Sequence, residues 1–120
     1  MPTVLIRHTN DELTDAVVRQ ISKKLPKIVA SALSCKIDKK GKLTEKDVAI
    51  ELMLHGEDDI NVKPISITII ANTYPERSKN LMERTMKILK AISEMQLPQY
   101  LQKNKISIWV QLVDGAYVTN

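Results

Sequence analysis

Two stretches of this 120-residue chain read as copies of one another. PTVLIRHTN (residues 2–10) and PISITIIAN (64–72) align without a gap, proline on proline and asparagine on asparagine. If the second loop carries two extra residues, Val17, Val18, Leu25 and Ile28 then fall on Leu81, Met82, Leu89 and Ile92. Each half closes on an alternating segment, VAIELML (48–54) or ISIWVQL (106–112). A doubled unit is a strong restriction, because each copy must form the same elements and bury its apolar face against its twin.

The order within each unit is β-α-β. The first strand covers Pro2 to His8, and Asn10 or Asp11 caps a helix with an apolar stripe of Val17, Val18, Ile21, Leu25 and Ile28. Pro26 is expected to bend or interrupt that helix, since it lacks a backbone donor and clashes with the preceding turn. The second strand, Val48 to Leu54, sets Val48, Ile50, Leu52 and Leu54 on one face and Ala49, Glu51 and Met53 on the other. HGEDDINVK (55–63) is a turn-like loop before a third strand at Ile65 to Ala71. Pro75 opens a second helix with the stripe Leu81, Met82, Ile88, Leu89 and Ile92, ending before Pro98. A fourth strand runs from Ile106 to Val113, and Gly115 ends it. The fold class is therefore α/β in the α+β sense: a doubled βαβ unit forming a four-stranded mixed sheet with two helices on one face. Residues 1–120 form one domain, with the units at about 2–54 and 64–113.

Composition removes several function classes. A hydrophobic share of 43% suits a packed core, and no apolar run reaches the ~20 residues a membrane span needs. With no basic-then-apolar leader, the chain is expected to be cytoplasmic, without membrane partners. Cys35 is the only cysteine and His8 and His55 lie far apart, so neither a disulfide nor a zinc site of ordinary spacing is expected. Cys35 reads as a small, partly buried structural residue. The net charge of +4 includes a basic run, KIDKKGKLTEK (36–46), read as a solvated loop broken by acids.

The same element order serves ferredoxin-like RNA-binding modules, but those stack bases on aromatic residues of their central strands. Neither TVLIRH nor ISITIIA holds an aromatic residue, and the chain has no Phe, so no nucleic-acid partner is expected. Met1-Pro2 leading directly into a strand, the doubled βαβ pattern and the length together resemble the tautomerase superfamily. The likeness is nearest to the 5-carboxymethyl-2-hydroxymuconate isomerase branch. There too a proline interrupts the first helix, as Pro26 does, and an Arg/Ser turn like YPERSKN (74–80) opens the second. The resemblance implies a homotrimer with helices outside and sheets inside, and a cofactor-independent isomerase of small enol or keto acids. Pro2, freed by removal of Met1, would be its catalytic base.

That chemistry needs a base with a pKa near working pH and a cation or donor to hold the dienolate. A secondary amine walled by Val4, Leu5 and Ile6 loses some affinity for its proton, because burial disfavours the charged form. No cofactor or metal is required. The chain departs from the pattern at the substrate-holding positions: neither VAIELML nor TNDEL contains the arginine that dicarboxylate tautomerases generally use there. Arg7, Lys46 and Trp109 are the candidate substrate-binding residues, with Lys40 and Lys42 as further point charges. Arg77 reads as a solvent-facing charge. Trp109 is expected to pack in the core or an interface when not lining the cavity. A non-catalytic, oligomeric binding protein of the same fold is the alternative, with the RNA-binding module a third.

Overall fold

The first helix forms because Asp11 caps it. Its carboxylate accepts from the Thr14 backbone N–H at 2.8 Å, satisfying one of the donors a helix start leaves free. In a computed structural model that describes residues 1–116 and 118–120, α1 runs from Glu12 to Leu33 without interruption at Pro26. The expected break is absent. One backbone bond is lost, but Leu25 and Val29 on either side are fully buried and hold the helix in place. The buried stripe is Val17, Val18, Ile21, Leu25 and Val29, with Ile28 at its margin.

The strands are β1 (Thr3–His8), β2 (Ala49–Leu54), β3 (Ile65–Asn72) and β4 (Ile106–Val113). The second helical region breaks at Asn80 into α2 (Pro75–Lys79) and α3 (Leu81–Ser93). The sheet order is β2-β1-β3-β4: β1 is parallel to β2, β3 is parallel to β4, and the halves meet antiparallel at β1 and β3. In the split βαβ of a ferredoxin-like sheet the strands flanking a helix are not neighbours. Here each helix connects adjacent parallel strands, so the chain is a four-stranded mixed sheet with its helices on one face.

The register fixes which residues face the helices. Val4 pairs with Ile69, Ile6 with Ile67 and His8 with Ile65, and all six are buried. The ungapped match of the two halves is therefore out by one residue. It sets buried Val4 on half-buried Ser66, and a one-residue slip reverses every side chain in a strand. Shifted by one, Val4, Ile6, Leu25 and Val29 correspond to Ile67, Ile69, Ile88 and Ile92, all buried. Pro2 then corresponds to Ile65 rather than Pro64.

The other sheet face is bare. Glu51, Leu5, Thr68 and Trp109 form one row across the four strands, and Ala49, Thr3, Ile70 and Gln111 another. Trp109 is 68% exposed on this face, so within one subunit it is not a core residue. Its odd–even position places it on the face away from the helices.

Candidate functional site

Pro2 stands at the head of β1, a central strand, and is buried. Its carbonyl accepts from the Ala49 N–H at 3.1 Å, which ties it to the start of β2. Continuing the antiparallel register sets Pro2 level with Ala71 near the end of β3. Three segments thus meet at this sheet end: the N-terminus, the turn Asn72–Tyr74, and the loop from Ser34 to Val48. Lys46 is exposed three residues before Ala49, on the same edge as Pro2. Arg7 is not brought there; it is five residues along β1, about 17 Å away at ~3.4 Å per residue. Trp109 is level with Leu5, about 10 Å along and two strands across. Of the sequence-derived candidates, Pro2 and Lys46 lie on segments that reach this end of the sheet, and Arg7 and Trp109 lie elsewhere.

The loop beside Pro2 is held by Arg77, which the sequence reading placed at the surface, and by two residues that it did not single out, Arg84 and Glu76. Arg77 is not a solvent-facing charge: it is 1% exposed. Its guanidinium donates to the carbonyls of Leu33 at 2.8 Å, Asn72 at 2.7 Å and Gly41 at 3.1 Å, and lies 5.1 Å from the Tyr74 ring centre. Arg84 donates to the carbonyls of Ala32 at 3.3 Å and Ser34 at 2.9 Å and to the Asn80 side chain at 2.6 Å. The last turn of α1 has no basic residue of its own, and its final carbonyls lack intrahelical donors. Two arginines from α2 and α3 supply both the donors and the positive charge that a helix C-terminus favours. Glu76 completes the lock. Its carboxylate accepts from the backbone N–H groups of Lys36 at 2.6 Å, Ile37 at 2.8 Å and Asp38 at 3.4 Å, and lies 3.6 Å from Arg84.

The electrostatics follow from this arrangement. The backbone donors of Lys36 and Ile37 hold the Glu76 carboxyl below the usual carboxylate range. Burial lowers the affinity of Arg77 for its proton and pushes the Cys35 thiol up. Cys35 is fully rather than partly buried, packed so close beneath Gly41 that a Cβ there would lie 2.6 Å from its Sγ. The helical spacing of Arg77 and Arg84 among buried positions was the available signal, because Thr14 and Ile21 are their buried counterparts in the first half.

A second polar cluster occupies the far end of β1. His8 is buried on the helix face with Nδ1 3.1 Å from the Thr9 carbonyl and 3.4 Å from Asp15. Thr14 donates to Asp11 at 2.9 Å and bonds Tyr100, joining α1 to the turn before β4. The Thr14 donors hold the Asp11 carboxyl low. Among the described residues, no group of three or more His, Cys, Asp or Glu is placed to hold a metal ion, and no helix is long and apolar enough to cross a membrane.

This architecture, two parallel βα units joined antiparallel, is a fold shared with solved structures of the tautomerase superfamily. It is similar to a macrophage migration inhibitory factor-like protein from Entamoeba histolytica, with a TM-score of 0.61, 16% identity, and coverage of 95% of this chain and 90% of that one. Macrophage migration inhibitory factor from Trichinella spiralis superposes with a TM-score of 0.57 at 15% identity, covering 98% and 94%. A fused 4-OT crystallised as an asymmetric trimer gives 0.56 at 12% identity, covering 93% and 86%. No protein-family model matches the chain, and no curated protein matches it in sequence.

Proposed function

We propose that this chain is a cofactor-independent tautomerase or isomerase of small enol or keto acids, acting in the cytoplasm as a homotrimer. The amine of Pro2, exposed by removal of Met1, takes a proton from one carbon or oxygen of the substrate and returns it to another, so no electrons leave the substrate. The observation that carries the reading is the buried Pro2 heading a central strand and tied through its carbonyl to Ala49, at the sheet end that the loop before β2 also reaches. Burial lowers the pKa of such an amine toward neutrality, and its ring aims the lone pair with little entropy left to lose. Lys46 holds the substrate carboxylate as a point charge. Arg7 and Trp109 face the bare side of the sheet and reach a substrate only from a neighbouring subunit, so the trimer belongs to the proposal. A muconate-type acid, as used by the 5-carboxymethyl-2-hydroxymuconate isomerases, is the finer substrate expectation.

Intact mass and activity on one preparation test this. With Met1 absent, enol–keto conversion of phenylpyruvate rises with pH along an acid limb that reports deprotonation of the amine. Pro2→Ala keeps an amine but loses the ring and retains partial activity, while a blocked terminus retains none. If processed protein turns over neither phenylpyruvate nor a muconate-type acid, the reading fails. The alternative is then a non-catalytic oligomeric binding protein, favoured by the lack of arginine in β2. A stable monomer in light scattering at micromolar concentration defeats the trimer.

A further inference from the structure

Two exposed features lie outside the proposed site and complement each other. The first is a groove along α3. Arg84, Ile88 and Ile92 face inward, while Met82, Met86 and Leu89 line the opposite side at helical spacing. Met82 is 74% exposed and Met86 55%, although the sequence stripe assigned Met82 to the core. The depression they line, about 660 Å³, shares Leu89 and Ser93 with a second of about 400 Å³ that continues to Leu97 and Lys103. Lys87, Lys90 and Lys103 lie along it against the single acid Glu83. The helices lie on the sheet face opposite the bare one, so trimer formation through the bare face leaves this groove open.

The second feature is the 55–63 loop. It is closed on itself: His55 Nε2 lies 2.8 Å from the Lys63 carbonyl, Gly56 N–H donates to the Asp59 carboxylate at 2.9 Å, and Asp59 N–H returns to the Gly56 carbonyl at 3.1 Å. Asn61 adopts a positive φ of 62° and completes the bend. This frame presents Glu57 and Asp58 to solvent beside Ile60, which is 80% exposed, and Val62. A preformed loop with an apolar tip and acidic shoulders loses little entropy on docking. Its chemistry is the inverse of the groove's, an acid pair beside an isoleucine against lysines beside methionines, and Met side chains adapt to the shape they receive.

We propose that the acidic 57–62 loop of one copy docks in the α3 groove of another copy of this chain. Ile60 seats between Met82 and Met86, and Glu57 and Asp58 meet Lys87 and Lys90. Two different patches meet, so the contact is heterologous and each molecule offers both halves. The inference does not rest on the catalytic reading.

Two surface variants separate the halves. Asp58→Lys/Ile60→Ser removes the loop's chemistry and keeps the groove; Met82→Glu/Met86→Glu does the reverse. The loop variant, with ¹³C-methyl methionine, is titrated with the unlabelled groove variant. The Met82 and Met86 methyl signals are expected to shift saturably, while Met53 on the bare sheet face does not move. The affinity should fall several-fold when salt is raised from about 0.05 M to about 0.5 M, as screening shortens the reach of the charges. A titrant carrying both sets of substitutions should produce no shift. Unmoved Met82 and Met86 signals overturn the proposal. So does a shift that survives in the doubly substituted titrant, or one that anionic phosphatidylglycerol vesicles produce without the second protein. A null here leaves phenylpyruvate turnover untouched, so the two readings fail separately.

Discussion

Replacing Arg77 with methionine is expected to destabilise the protein by about 3–5 kcal/mol. Methionine keeps much of the apolar stem but removes three donors that reach Leu33, Asn72 and Gly41. Hydrogen bonds from a charged group contribute roughly 1.5–3 kcal/mol each, and the three are not additive because they share one guanidinium. The Leu33 carbonyl is left without this donor at a buried site, and stranding such a group costs about 1–3 kcal/mol, whereas the Gly41 carbonyl keeps the Cys35 N–H at 2.9 Å. Against a total stability of about 5–15 kcal/mol, this is roughly a fifth or more of what holds the fold. Urea unfolding at fixed protomer concentration measures it, and the expected fall in Tm is roughly 10–20 °C. Arg77→Lys should recover only part of the loss, because an ammonium cannot reproduce the planar fork. Arg19→Met, on the exposed side of α1, should stay within about 0.5 kcal/mol of wild type. An Arg77→Met protein within about 1 kcal/mol of wild type would refute the lock and return Arg77 to the surface.

Three further outcomes follow from the same geometry. The depressed pKa of Glu76 means that the native state binds fewer protons than the unfolded chain through the carboxylate range. Its stabilisation is therefore complete above the ordinary glutamate pKa and is lost as pH falls through the lower native value; Glu76→Gln should flatten this part of the stability–pH curve. Gly41→Ala should cost about 1–3 kcal/mol, because its Cβ would meet both Sγ and Cβ of Cys35; Cys35→Ala, which removes the nearer atom, should recover part of this in thermal melts. Pro64→Ala should leave turnover per site unchanged, since the Pro64 carbonyl that accepts from Thr9 is kept; a loss matching that of a Pro2 variant would mean that the two halves have been assigned the wrong way round.

The strands, the helix caps and the order of elements were legible because alternation, helical spacing and capping residues are local signals. Register was not. PTVLIRHTN and PISITIIAN match best as letters one residue away from where their buried sides coincide, since Ile69 and Ile70 are equally apolar and only the neighbouring strand decides which turns inward. Arg77 was misjudged, and Arg84 was not singled out, for a related reason. An arginine at a core position is intelligible only beside the carbonyls it serves, and these belong to a helix end 44 residues from Arg77 and 50 and 52 from Arg84. Met82 failed in the other direction: an apolar residue beside a core stripe carries no mark of pointing outward. At the candidate site, only the positions of Pro2 and Lys46 ahead of strand starts were legible, and their roles belong to the proposal. Arg7 and Trp109 lie on the sheet face away from the helices, and what they meet belongs to the proposal.

The close packing of Cys35 beneath Gly41 also gives the molecule a clock. Only a thiolate reacts readily with disulfide reagents. Burial both raises the pKa of this thiol and covers it, so the folded loop protects the chain's only cysteine. A colorimetric thiol reagent in excess then counts openings of one segment: the stretch between the end of α1 and the start of β2 that borders Pro2. If turnover waits on that segment, labelling and catalysis will change together as the loop is loosened at Glu76; if it does not, labelling will quicken alone.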